Sequence, residues 1–469
     1  MIATPDSTSV QFIRPTAPAL PPHFEVSNGR LHYQGLDLLS FIQHPVNNQG
    51  RIEMPTTPMY VRYLPALRAN YEQLHHWFQV AKNRTGFPGD LTVAFASKAN
   101  PAEPVVRTLL QTGAAYECSS SFDVDLARHA AARGWLDRDR MIFANGFKIP
   151  IYVQNLIRLR AGGFTQLIPI FDDLDEIAPF AESGLLFDVG VRSRTDANYA
   201  SRFGMVPEDL EQAAMQIMTT NNLRLTTFHA MQTIPASRGL LYQGAMIHSL
   251  RIYARLRRVV PTLYRFDLGG GLPGRNSDMD FQDWMIQVLQ NVMAVCQEEE
   301  VPTPDLVVES GRYLTQDHAC KMFRIVKSKF ADDGIPFYMI DGSIMSNFPD
   351  AWALGDSFTV LPINHWDGSF GAARLAGLTC DPDDVYPTHR MTDVPLELPV
   401  DVDGLIVGFF DCGAYQEMLG GRHGAKHCLL PEGPELIVDH DGDGSLDYSY
   451  QSAQTATQVL GHLGYSAQP

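Results

Sequence analysis

An α/β fold built on a (β/α)8 barrel, joined to a second, discontinuous β-rich domain, is what this sequence predicts, and three observations lead there. Eight short apolar runs recur between residues 93 and 310, their starts 18 to 41 residues apart, a spacing that suits strand–helix units. The runs are apolar almost throughout, as parallel strands covered on both faces must be, and most end in a polar or small residue on the same side, as the rim of a closed barrel requires. After Arg312 the rhythm changes, and strand-like segments follow one another without long helices between them. A doubly wound sheet is the alternative; the common rim favours the barrel.

Taken in order, residues 1–23, with Pro15, Pro18, Pro21 and Pro22, lack the apolar core of a secretory signal and read as a loose leader. From Phe24 to Tyr63 the pattern is short and strand-like, with a hairpin expected at Asn28-Gly29. Leu64, Leu67, Tyr71 and Leu74 recur at helical spacing, so LPALRANYEQLHHWF is expected as an amphipathic helix with Pro65 in its first turn. The runs are VAFASK (93–98), AAYEC (114–118), MIFAN (141–145), LIPIF (167–171), LLFDVGV (185–191), RLTTFHA (224–230), YRFDLGG (264–270) and DLVVES (305–310). Residues 64–320 are therefore assigned to the barrel. Segments such as KMFRIVKSK, PFYMIDGS, FTVLPIN, LELPV and LIVGFFDCGAY then build a β-rich domain over 321–469, to which 24–63 is expected to return.

The totals narrow the function. With 469 residues, 45% of them hydrophobic and 19% charged, the chain can bury one or two sizeable cores. A net charge of −17 argues against nucleic acid or an anionic membrane as partner. Six cysteines without a CxxC pair argue against a disulfide framework or structural zinc, so a reducing cytoplasm is expected. No run of 18 apolar residues occurs to span a membrane.

Three motifs carry chemistry. The first run stops on Lys98, which sets an amine at the rim of the sheet, where it can act as a nucleophile or form a Schiff base; a plain solvated lysine is the other reading. DLGGGLPGR formally satisfies GxGxxG, yet Pro273 and the polar stretch after it do not open a helix as a dinucleotide site needs. Gly269, Gly270 and Gly271 fit better as a backbone cradle for a phosphate at the end of the seventh strand, with a tight turn as the plainer reading. ESGRYL puts Glu309 on the rim, where a buried carboxylate needs a cationic partner, and Arg312 beside it could meet either Glu309 or the phosphate. An aldehyde-reactive amine, a carboxylate for a ring N–H and a phosphate site together outline pyridoxal phosphate.

AFASKANP, YECSSSFDVDLA, VGVRSR with SRFG, FHAMQT, FDLGGGLPG, ESGRYL, GLTCDPDD and DCGAYQEMLGG resemble, in order, the motifs of the fold type III pyridoxal-phosphate decarboxylases, whose barrel is like that of alanine racemase. SNFPDAWALGDSF, ESGRYLTQDHA and GFFDCGAYQEMLGGRH resemble most the biosynthetic arginine decarboxylases. The resemblance implies that Lys98 holds the cofactor covalently, that His229 lies against the ring face, and that Glu309 keeps the ring nitrogen protonated. It implies that Gly269, Gly270, Gly271, Arg312 and Tyr415 bind the phosphate. Cys380 would return a proton to the substrate carbon after carbon dioxide leaves, and Asp350 and Asp381 would bind the distal cation of a basic substrate. Cys380 and Asp381 would come from a second subunit, which implies a head-to-tail homodimer with shared sites.

The expected activity is decarboxylation of a basic L-amino acid in polyamine biosynthesis, arginine to agmatine first, with ornithine or lysine the nearest rivals and diaminopimelate further off. A non-catalytic regulator that binds a protein partner is the rival of another class. The chain departs from the family at His229-Ala230-Met231-Gln232, where His-x-Gly-Ser is usual and Thr233 is the candidate substitute hydroxyl, and at Glu117, where an aspartate is usual. DHDGDGSLDYSY resembles a calcium loop but has Tyr450 at its twelfth position, so a solvated hairpin turn is expected. His75, His76, His423 and His427 lack zinc-ligand company in the sequence and read as surface residues, so no metal is expected.

Overall fold

The structure is a computed structural model that describes residues 19–48, 50–194, 201–232, 234–392 and 394–465. Residues 1–18 of the Pro-rich leader lie outside them, as does Thr233. The chain divides into two compact units, one formed by Ala66–Thr315 and the other by Met1–Pro65 with Gln316–Pro469.

The first unit is a closed barrel of eight parallel strands, each at one of the eight predicted runs. We number them β1 (Leu91–Ala96), β2 (Ala115–Cys118), β3 (Ile142–Ala144), β4 (Leu167–Phe171), β5 (Phe187–Arg192), β6 (Leu223–His229), β7 (Arg265–Asp267) and β8 (Asp305–Ser310). The barrel closes where β8 pairs with β1, with Val308 opposite Val93 and Glu309 opposite Ala94. Because helices cover the outside and side chains fill the inside, both faces of a strand must be apolar; β2, β3 and β4 are buried at every position. The connecting helices follow from sequence in the same way. Glu103–Gln111 carries Pro104 in its first turn, where the ring costs no hydrogen bond, and buries Val105, Val106, Leu109 and Leu110 along one stripe. Phe281–Glu298 starts at Asp280, whose side chain accepts the Asp283 N–H.

The second unit is β-rich. Phe24–Ser27 and Arg30–Tyr33 form the expected hairpin, with Ser27 paired to Arg30 and positive φ at both Asn28 (50°) and Gly29 (69°), the geometry a two-residue turn demands. Its main sheet is organised on the long strand Ala319–Phe330, which pairs with Met59–Tyr63, Ile406–Phe409 and Pro336–Ile340. The calcium-like stretch is a hairpin turn between Glu435–His440 and Leu446–Gln451, in which Asp441 accepts backbone N–H bonds from Asp443 and Ser445. No helix among the described residues is long and apolar enough to cross a membrane.

One ion cluster sits inside this unit. Arg62 is wholly buried on Met59–Tyr63; its guanidinium pairs with Glu417 and Glu435, and its Nη1 lies 3.2 Å from His318 Nε2. Arg422 meets the same two carboxylates at 2.5 Å each. Removing one member of a buried ion group strands the others, which costs more than the group contributes net. Arg62→Met is therefore expected to destabilise this unit by roughly 3 kcal/mol, read as a lowered urea midpoint; an unchanged midpoint would show that Arg422 alone satisfies both carboxylates.

Candidate active site

The barrel strands deliver polar residues to one rim by the arithmetic of their pleat. Ala94, Ala115, Phe143, Ile168, Ile170 and Val307 form one apolar cluster inside the barrel. Strand side chains alternate with period two, so the next inward position lies two residues on. Glu117 follows Ala115 in that way, Asn145 follows Phe143, Asp172 follows Ile170 and Glu309 follows Val307. On β5 Gly190 occupies the floor, where a Cβ would come within 2.4 Å of Ile170 Cδ1, and Arg192 stands above it. His229 and Asp267 end β6 and β7 and face each other in register, as do Arg192 and His229. Lys98 sits in the tight 3-10 turn Ser97–Ala99 after β1.

These side chains are connected. Lys98 Nζ donates to Glu117 Oε2 at 2.9 Å, while Asn145 Nδ2 donates to Glu117 Oε1 at 2.9 Å and to Glu309 Oε1 at 2.6 Å. His229 Nε2 lies 3.6 Å from Glu309 Oε2, and Arg192 Nη1 lies 3.4 Å from Asp172 Oδ1. Asp267 Oδ1 accepts the Gly269 N–H at 2.8 Å, and Gly269 O accepts the Glu309 N–H at 2.9 Å.

The rim is short of positive charge. Glu117, Asp172, Asp267 and Glu309 are all buried, and Lys98 and Arg192 are the cations bonded to them in this network. Burial first, and the Glu117 charge second, raise the Glu309 carboxyl to about 7. Burial and then Glu309 hold Asp267 well above the usual carboxylate range. Burial, followed by the charges of Arg192, Lys98 and Lys148, pushes His229 well below the ordinary imidazole value, so the ring is neutral near pH 7. Asn145 Oδ1, Asp267 Oδ2, Ser310 Oγ and both ring nitrogens of His229 are buried without a hydrogen-bond partner among the described residues. Buried polar atoms left in this state mark a place where a polar ligand belongs. An electron-poor ring bearing an N–H would answer the unmet carboxylates and let Glu309 ionise.

The triple glycine begins the turn after β7. Gly269 and Gly271 have φ of +68° and +96°, and the next helix starts only at Phe281, so the glycines do not open a helix as a dinucleotide site would. A Cβ at Gly269 would lie 2.7 Å from Met231 Sδ, and the Gly270 N–H points at that sulfur from 3.1 Å. The departure at Met231 thus has a definite form, a thioether packed over the first two glycines. Arg312 opens the short helix Arg312–Thr315 just beyond β8.

The other predicted residues lie in the β-rich unit. Asp350 is buried in the first turn of Pro349–Leu354, where its Oδ2 accepts from Gln416 Nε2 at 2.8 Å and its N–H donates to Gln416 Oε1 at 3.2 Å. Tyr415, with φ of +67°, immediately precedes Gln416–Gly420, so Gln416 follows one predicted residue in sequence and bonds to the other, Asp350. Cys380 and Asp381 are held on a loop by Asp384, a buried carboxylate that accepts from Thr379 Oγ1 at 2.6 Å and from the Ile344 N–H at 2.6 Å. Asp384, Gln416, Asn145 and Asp267 are the residues sequence reasoning missed. Asn145 stood in plain view as the polar ending of a predicted strand and Asp267 as a polar residue within one; Asp384 and Gln416 act through contacts that no local pattern announces.

Comparison with known proteins agrees with this chemistry. The family model described as "Pyridoxal-dependent decarboxylase, pyridoxal binding domain" matches residues 72–316, just over half of the chain. Arginine decarboxylase 1 of Oryza sativa subsp. japonica is 26% identical, over 84% of this chain and 71% of the relative. The biosynthetic arginine decarboxylase of Thermosynechococcus vestitus is 21% identical, over 92% of this chain and 85% of its own length. Among solved structures, the biosynthetic arginine decarboxylase of Campylobacter jejuni superposes with a TM-score of 0.79 at 18% identity, covering 95% of this chain and 89% of that one. The diaminopimelate decarboxylase of M. jannaschii with L-lysine gives 0.75 at 17%, covering 94% and 97%; at such identities the likeness is one of fold. The barrel, its rim and the matched family agree: this chain belongs to the pyridoxal-dependent decarboxylases.

Proposed function

We propose that the chain converts arginine to agmatine in the cytoplasm, supplying polyamine synthesis, and that it does so as a head-to-tail homodimer with shared sites. The observation that carries the reaction class is the meeting of Lys98, Glu117, Asn145 and Glu309 in one hydrogen-bonded network on the barrel rim. The substrate reading is supported by the arginine decarboxylases among its relatives. It is supported too by Asp350 and Asp381, two carboxylates suited to a guanidinium. The dimer is supported by the exposure of Cys380, which leaves its thiol open to a neighbouring subunit's site.

When bound, pyridoxal phosphate supplies an electron sink for the carbanion left by carbon dioxide. In this reading Lys98 Nζ binds the aldehyde, and Glu117 holds that amine in place. His229, neutral, packs on the ring face without adding charge. Glu309 keeps a proton on the ring nitrogen, while Asn145 fixes the carboxylate. Gly269, Gly270, Gly271, Arg312 and Tyr415 bind the phosphate, and Met231 takes space that a smaller residue leaves open elsewhere in the family. Cys380 returns a proton to the substrate carbon, a contribution of roughly 10²- to 10⁴-fold for a well-placed acid.

Carbon dioxide release measured across arginine, ornithine, lysine and diaminopimelate, in both chiralities, tests the substrate. Highest turnover on L-arginine is expected, and a preference for diaminopimelate would overturn the roles of Asp350 and Asp381. Lys98→Ala should abolish the visible absorbance of the bound aldehyde, whereas Cys380→Ala should keep the colour and lose turnover by about 10²-fold.

Glu309 makes a further prediction with a definite sign. Its carboxyl is raised from 4.5 to about 7 in the folded chain, so the ligand-free protein holds the extra proton and loses stability as pH rises through that interval. Glu309→Gln should stabilise the ligand-free protein at pH 8 by about 1–3 kcal/mol and leave it nearly unchanged at pH 4. Thermal melts at both values check this, and equal effects at the two would remove the buried charge as the cause.

A further inference from the structure

Of the six cysteines four are buried; the two exposed ones, Cys380 and Cys428, face each other with their sulfurs 3.6 Å apart. They are 48 residues apart in sequence, so only the fold brings them together. The local backbone supports a purpose for this meeting. Cys428 and the following Leu429 both adopt positive φ (54° and 55°), a conformation that side chains with a Cβ avoid and that persists where the surroundings impose it. His427 adds a base: its Nδ1 lies 3.0 Å from Cys428 Sγ and its Nε2 lies 3.9 Å from Asp381 Oδ2. The surface reading of His427 made from sequence is thus incomplete, since the ring stands between the second thiol and the loop that carries the first.

We propose that Cys380 and Cys428 form a reversible dithiol, a site of oxidative modification at which the thiol assigned to proton return is withdrawn into a disulfide. The two sulfurs are unequal, as exchange requires. Hydrogen bonding from the Cys380 backbone and thiol, and then from His427, lowers the Cys428 thiol below its ordinary value, while the bond to Cys428 raises Cys380. Cys428, the more readily ionised of the two and the one beside His427, is therefore assigned the attack.

With hydrogen peroxide as oxidant, the Cys428 sulfur forms a bond to one peroxide oxygen, the O–O bond breaks, and the departing hydroxide takes a proton to become water. The Cys380 sulfur then attacks the resulting sulfenic acid; the S–S bond forms, the S–O bond breaks, and the hydroxide leaves with the Cys380 proton as a second water. Two thiols lose two electrons, and one peroxide becomes two waters. A small dithiol returns the pair to thiols by exchange.

The consequence for turnover rests on the acid role proposed above; the dithiol itself does not. The test treats the full-length, cofactor-loaded protein with hydrogen peroxide, then follows tryptic peptides and arginine turnover together. Leu375–Arg390 should appear joined to the peptide that begins at His427, with the loss of two hydrogens. Turnover should fall by about 10²-fold and return with dithiothreitol. Cys428→Ser, which leaves Cys380 in place, should turn over normally, give no joined peptide and keep its activity under the same oxidant. Absence of the joined peptide, or equal inactivation of Cys428→Ser, overturns the proposal. Recovery by a chelator in place of the dithiol also overturns it, since that result assigns the cluster to a thiophilic metal. A joined peptide with undiminished turnover upholds the dithiol and removes Cys380 from the proposed chemistry.

Discussion

The side-by-side burial of Glu309 and Asp267 is the constraint on which the barrel site depends. Two carboxyls on adjacent strands are both held toward their neutral forms there: burial raises each, and the next cause is Glu309 for Asp267 and Glu117 for Glu309. Asn145 donates to Glu309 but brings no charge, and His229 is held neutral by burial first and by the cations around it second. The barrel therefore presents an unmet demand for positive charge in the direction of its open end. A neutral ligand would leave that demand standing, and an anionic one would deepen it. A ring whose nitrogen carries a proton would satisfy it.

This arrangement needs a closed barrel. An open sheet would bring some strand ends together at a crevice, whereas closure brings β8 beside β1 and so sets Glu309 near the residues that follow Leu91–Ala96. Small residues at Ala94 and Ala115 and a glycine at Gly190 make room in the floor for Phe143 and Ile170, which keeps the layer beneath the rim dry. The charged layer is thus supported by an apolar one, and the pleat fixes the offset between them at two residues.

Much of this was legible in the chain because a buried parallel strand writes itself as a continuous apolar run, and because its end is marked by the first polar residue. The eight runs coincide with the eight strands for that reason, and Lys98, His229 and Glu309 stood out as strand endings of the right chemistry. Asn145 and Asp267 obeyed the same rule and were overlooked because nothing in their identity suggested a reaction. In the β-rich unit the rule fails. Arg62 and Glu435 are 373 residues apart, and Cys380 and Cys428 are 48 apart; pairings of that kind are set by the folded chain and leave no periodic trace. The Met231 departure was legible as a substitution, but only the fold gives it a direction, toward Gly269 and Gly270.

Affinity and stability in the barrel are consequently one quantity viewed from two sides. Holding a proton on Glu309 against its tendency to ionise costs the ligand-free chain free energy near neutral pH, and that cost is recovered when a cationic ring permits ionisation. A rim with a permanent cation in place of His229 or Asn145 would remove the cost, yet it would remove the attraction equally. The neutral histidine and the amide are therefore the informative residues of the network: Asn145 orients the carboxylates by bonding to them without charge, and His229 stands beside Glu309 uncharged, so their electrostatic demand is left intact for the ligand.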